Sequence, residues 1–139
     1  MTKILLVEDS KFMRLATERA LVRAGYEVST AVDGESALSS ARIIKPDLIL
    51  LDLLLPKLAG PEVLKALKAD PATAAIPVVV LSGMSEKNSD RLRRDGAFAF
   101  LGKESLALDK GSEALLAVLA TILQELGLKV PQGVMAAGS

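Results

Sequence analysis

Cysteine and histidine are both absent from this chain of 139 residues. Without cysteine there is neither a disulfide framework nor a thiolate metal site. Without histidine there is no Ser-His-Asp triad and no histidine-ligated zinc. Tryptophan is missing too, and one tyrosine and three phenylalanines are too few to surround a flavin. Seventeen basic and seventeen acidic side chains cancel, so no net field favours nucleic acid. Half the residues are apolar, yet no apolar run nears the roughly 18 residues of a membrane span. The first residues lead directly into a strand-like run, with no basic, apolar, small-residue signal pattern. These exclusions leave one compact domain with a substantial core, expected to be soluble and cytoplasmic.

What is present is a regular alternation of strand-like and helix-like segments. Ile4–Val7, Leu48–Leu51, Val78–Leu81 and Phe98–Leu101 are short apolar runs, the middle two suited to strands buried on both faces. Tyr26 to Val32 alternates, with Tyr26, Val28, Thr30 and Val32 on one face, as an edge strand would. Ser10 can cap a helix over Lys11–Ala24 that Gly25 ends, with Phe12, Leu15, Ala16, Ala20 and Leu21 as its buried stripe. Further helices are predicted over Glu35–Ile44, Pro61–Ala69, Ser85–Asp95 and Glu113–Leu126, with Leu92 alone anchoring Ser85–Asp95. Five strands alternating with five helices argue for a parallel sheet covered on both faces. Residues 1–127 form the domain, and 128–139, rich in Gly, Ala and Pro, read as a flexible tail or the start of a linker.

The order of polar residues after these runs carries the chemistry. Glu8-Asp9, Asp52, Ser82 and Lys103 each lie at or just past the end of a run. In a parallel sheet they would share the C-terminal edge, where open α/β sheets bind ligands. A carboxylate can attack phosphorus if charge repulsion is relieved, and a magnesium ion together with a lysine would relieve it. Magnesium prefers oxygen ligands and keeps several waters, which suits Asp9 and Asp52 as direct ligands with Glu8 acting through water. Ser82 offers a hydroxyl to a phosphoryl oxygen, and Lys103 a point charge. Singly, each has an ordinary explanation: a helix cap, a turn serine, a surface lysine. The ordered set outweighs them.

At this point the chain resembles the receiver domains of bacterial two-component response regulators. The likeness covers about residues 3–126 and is carried by Ile4-Leu5-Leu6-Val7-Glu8-Asp9-Ser10, Pro46 to Asp52, Leu55 to Gly60, Ile76 to Gly83, and Gly96-Ala97 through Lys103. It implies the flavodoxin-like receiver fold, an α/β doubly wound five-stranded parallel sheet of order 2-1-3-4-5 with five helices. It further implies that Asp52 is the phosphoacceptor, served by a histidine kinase or phosphotransfer protein. Glu8, Asp9, Asp52 and the backbone carbonyl of Leu54 would hold Mg2+, and Ser82, Gly83 and Lys103 would bind the phosphoryl group. Ser82 and Phe100 would form the switch, and the apolar Leu54 and Met84, flanking the path of the hydrolytic water, would tune phosphoryl lifetime. A downstream protein target follows from the same likeness, which also allows a homodimer but implies neither membrane nor direct nucleic-acid binding.

Two departures from the family pattern stand out. Glu104 follows Lys103 where the family usually has proline, commonly after a cis peptide, and a cis bond before a non-proline residue costs about 2.5–4 kcal/mol. Residues 104–112 also form a longer connection than usual. These features keep one alternative in view, a non-phosphorylated pseudo-receiver acting as an interaction scaffold. A phosphohydrolase with an aspartyl nucleophile fits less well, because Leu54 stands where a second acid is wanted. The expected protein is not an enzyme with its own diffusible substrate; it catalyses only its own phosphorylation and dephosphorylation.

Overall fold

Four strands are built from the apolar runs and the fifth from the alternating segment, and helices pack on both faces of the sheet. The computed structural model describes residues 1–52, 60–82, 89–102 and 113–131, with the side chains of Ser82, Ser89, Glu113 and Ala114 left aside. The strands are β1 (Lys3–Val7), β2 (Glu27–Ala31), β3 (Leu48–Asp52), β4 (Val78–Ser82) and β5 (Ala99–Gly102). Between and after them lie α1 (Lys11–Arg23), α2 (Gly34–Ile44), α3 (Gly60–Ala69), α4 (Ser89–Arg94) and α5 (Glu113–Glu125). All strand pairs are parallel, in the order β2-β1-β3-β4-β5. The fold expected from sequence is therefore the fold found. Among the described residues no helix is long and apolar enough to cross a membrane.

Alternation along the strands divides the core into two layers. Ile4, Leu6, Leu48 and Leu50 pack with Leu21 of α1 and with Leu115, Leu119 and Leu123 of α5. Leu5, Val7, Ile49 and Leu51 pack with Ala37 and Ala41 of α2, Leu64 and Leu67 of α3, and Leu92 of α4. Every residue of β3 is buried, as a central strand with helices on both sides must be.

The rotation of α1 differs from expectation. Phe12 is 80% exposed, Leu15 and Ala16 also face water, and the buried positions are Thr17 and Leu21. Both ends of the helix fix this rotation. Tyr26 N–H donates to the Leu21 carbonyl at 3.1 Å, and the Arg14 guanidinium reaches back to the chain before the helix. Thr17 reads as polar in a sequence, so a stripe through 17 and 21 is hidden beside the more apolar one through 12, 15 and 16. Around β2, Tyr26 lies just before the strand and is buried, Val28 and Thr30 within it are half-buried, and Val32 lies past its end and is exposed.

The packed chain also runs beyond its expected boundary. Leu128 and Val130 pack against the α1/α5 layer, and the Thr2 hydroxyl donates to the Lys129 carbonyl at 2.6 Å. Pro131 lies over Gly25, whose φ of +106° and whose closeness, 2.8 Å from an added Cβ to the proline ring, both require glycine. Residues 132–139 lie outside the described residues.

Tyr26 is the chain's only tyrosine, is 2% exposed, and its hydroxyl finds no hydrogen-bond partner among the described residues. Burial pushes its pKa up to about 12, because the phenolate would lose its hydration. The folded value lies above the ordinary one near 10, so the unfolded chain ionises first and stability falls as pH rises from about 10 toward 12. Absorbance titration at 295 nm should thus give a midpoint near 12, and Tyr26→Phe should blunt the alkaline loss of stability without lowering stability at pH 7. A midpoint near 10 in the folded protein would contradict this burial.

Candidate functional site

Strand order reverses beside β1. The chain leaves β1 for α1 on one face of the sheet and leaves β2 for α2 on the other. Crevices of this kind, outside the carboxyl ends of the strands, are where open α/β sheets bind ligands. Val7 pairs with Leu51 across β1 and β3, so Glu8 and Asp52 are the next residues on neighbouring strands. Asp9 follows, at the entry to α1. One carboxylate oxygen from each of Glu8, Asp9 and Asp52 lies within 4.8 Å of the others.

Burial is graded across the three. Glu8 is 4% exposed and Asp52 3%, whereas Asp9 faces water. Glu8 N–H donates to the Ala31 carbonyl at 3.0 Å, which continues the β1–β2 ladder up to the site. Ser10 caps α1: its hydroxyl accepts from Met13 N–H at 3.5 Å, and its own N–H donates to Glu8 Oε2 at 3.4 Å. Arg14 Nη1 donates to the Glu8 carbonyl at 3.2 Å and the Asp9 carbonyl at 3.3 Å. In the sequence Arg14 carries no signal beyond its place in the first turns of the helix that follows the acidic pair.

The carboxylates fit an oxygen-ligated divalent ion. Three oxygens from short side chains converge, one on the solvent side, which leaves room for the waters that magnesium retains. The absence of nitrogen and sulfur donors argues against a softer metal.

The remaining expected residues fall as follows. Ser82 ends β4, and its backbone pairs with Gly102 at the end of β5, so both strands stop at the same edge as β3. Phe100 lies on β5, partly buried against the α2–α4 layer. Leu54, Gly83, Met84, Lys103 and Glu104 lie outside the described residues.

With this geometry established, comparison with known proteins identifies the family. The response regulator receiver domain model matches residues 4–116, and the chain belongs to that family. It is 42% identical over 115 residues to the gliding motility regulatory protein of Myxococcus xanthus, covering 81% of this chain and 15% of that one. It is 37% identical over 102 residues to the polar-differentiation response regulator DivK of Brucella anthropi, covering 72% of this chain and 82% of that one. The chain thus spans a small part of several curated relatives, between 15% and 35% of their length, and most of DivK. The chemotaxis response regulator CheY4 of Vibrio cholerae superposes with a TM-score of 0.79 at 31% identity, covering 88% of this chain and 99% of that one. The receiver domain of the sensor histidine kinase PA1611 from Pseudomonas aeruginosa, solved with magnesium in its active-site cleft, superposes at 0.67 and 31% identity, covering 73% and 84%. Receiver domains serve as phosphoacceptors in two-component signalling and are not classical enzymes.

Like charges held this close oppose folding unless a cation or a neutral partner relieves them. Added Mg2+ should therefore raise the melting temperature of the wild type more than that of Asp52→Asn, which scanning calorimetry checks. Equal stabilisation of the two proteins by Mg2+ would place the ion elsewhere.

Proposed function

We propose that this chain receives a phosphoryl group on Asp52 from a histidine kinase or phosphotransfer protein, in a magnesium-dependent reaction, and thereby changes the surface it offers a downstream protein. The observation that carries this is the convergence of Glu8, Asp9 and Asp52 at the end of the sheet in a chain of this family. An Asp52 oxygen attacks phosphorus as the phosphorus–nitrogen bond of the donor's phosphohistidine breaks, and the bond pair leaves with the imidazole. Glu8, Asp9, Asp52 and the Leu54 carbonyl would hold the magnesium ion, which when bound would supply neutralisation of the charge that opposes carboxylate attack.

The chain's own residues have distinct duties in this proposal. The buried end of β3 holds Asp52 in one orientation, since every residue of that strand is enclosed. Ser82 and Lys103, with the Gly83 backbone, bind the phosphoryl oxygens. Drawing Ser82 toward those oxygens frees Phe100 to turn inward, biasing the β4–β5 surface through new charge-assisted hydrogen bonds. A cytoplasmic protein target reads that change. The signalling domain is the packed unit through Pro131, since Leu128, Lys129, Val130 and Pro131 are fastened to it.

Incubation with a small acyl phosphate and Mg2+, followed by intact mass, tests the proposal. A phosphoryl-sized increase is expected in the wild type only, absent from Asp52→Asn and from magnesium-free samples. No adduct from either acyl phosphate or a phosphorylated donor would favour the pseudo-receiver scaffold. Leu54 and Met84 offer nothing polar to orient a hydrolytic water, so the adduct should be long-lived. Its loss within seconds in magnesium buffer would contradict that role for them.

A further inference from the structure

The turn between β1 and α1 must aim two carboxylates at a third. Its side-chain capping bonds are long: 3.5 Å from Met13 N–H to Ser10 Oγ, and 3.4 Å from Ser10 N–H to Glu8 Oε2. Arg14 adds charge-assisted contacts: its Nη1 donates to the carbonyls of both Glu8 and Asp9. Two successive carbonyls turned toward one guanidinium nitrogen fix two successive peptide planes. Those planes decide the direction in which the Glu8 and Asp9 side chains leave the backbone. Arg14 is half-buried on the side of α1 that also carries Thr17 and Leu21, and its head is bonded to the turn.

We propose that Arg14 is a positioning residue for the divalent-ion site, holding the Glu8–Asp9 turn so that both carboxylates face Asp52. This rests on the proposal above that the three carboxylates bind a divalent cation. The sign of the effect separates positioning from simple charge. A guanidinium beside a cation site repels the cation, so by charge alone its removal would tighten binding. As a positioning group, its removal loosens the turn and weakens binding.

Isothermal titration of the full chain with Mg2+ at fixed ionic strength, on wild type, Arg14→Met and Arg14→Lys, tests this. Methionine keeps an unbranched stem and loses charge and donors; lysine keeps the charge as a point donor without the fork. Partners that orient metal ligands typically account for about 10–100-fold in affinity, and a loss toward the lower end of that range is expected for Arg14→Met. Arg14→Lys should bind about threefold or more weaker than wild type, between the other two. Thermal melts of each variant accompany the titrations; should Arg14→Met lose its cooperative melt, Arg14→Lys carries the test alone. Wild-type binding with unchanged or tighter binding in the folded variants overturns the role of Arg14 alone. No Mg2+ binding by the wild type overturns the metal proposal and this role with it.

Discussion

Glu8 and Asp52 are almost wholly shielded from water, and a third acid, Asp9, lies within reach of both. Water no longer screens such groups well, so they must be relieved by paired charge, hydrogen bonds or a metal. Much of the architecture reads as a means of holding that arrangement in place. Parallel pairing in register brings the ends of β1 and β3 level. Enclosure of β3 on both faces denies Asp52 an escape to solvent. The Glu8 amide is tied to β2 through the Ala31 carbonyl, and the following turn is tied to α1 through Ser10 and Arg14.

The other end of the sheet is built for permanence. Thr2, Lys129 and Pro131 fasten the chain after α5 beneath β1 and the α1–β2 turn. Lys68, at the end of α3, donates to the carbonyls of Ala74 and Ile76 and lays its stem against Gly96, where φ is +114° and an added Cβ would meet its Cγ at 2.6 Å. Desolvation lowers the Lys68 pKa, as expected of an ammonium drawn inward to bond carbonyls. Apolar layers and such ties fix one end, while charge is concentrated at the other, so a change of charge there meets a rigid frame.

The fold was legible because its strongest signals are local. Continuous aliphatic runs such as Leu48–Leu51 have no reading other than an enclosed strand once polar residues and prolines bound them. The positions of Glu8, Asp9 and Asp52 followed from that, since the residue after a buried parallel strand belongs to the ligand edge. The face of α1 was not legible, because two stripes compete on that helix and the choice depends on Tyr26 and Arg14 contacting the chain at its two ends. Arg14 itself was invisible for a related reason: it acts on main-chain carbonyls, which carry no sequence mark. Packing of Leu128 and Val130 was hidden in a segment too short and too rich in Gly and Pro to show a period.

A magnesium titration followed by amide NMR, residue by residue, tests most directly whether one end of this sheet binds a divalent cation through the three acids its strands bring together. Saturable shifts should concentrate at Val7–Ser10 and Leu51–Asp52, leaving Asp47 and Ile76 at the far end of the sheet unmoved. Shifts that do not saturate, or that are spread over exposed acids such as Glu27, Glu35 and Glu62, would contradict it.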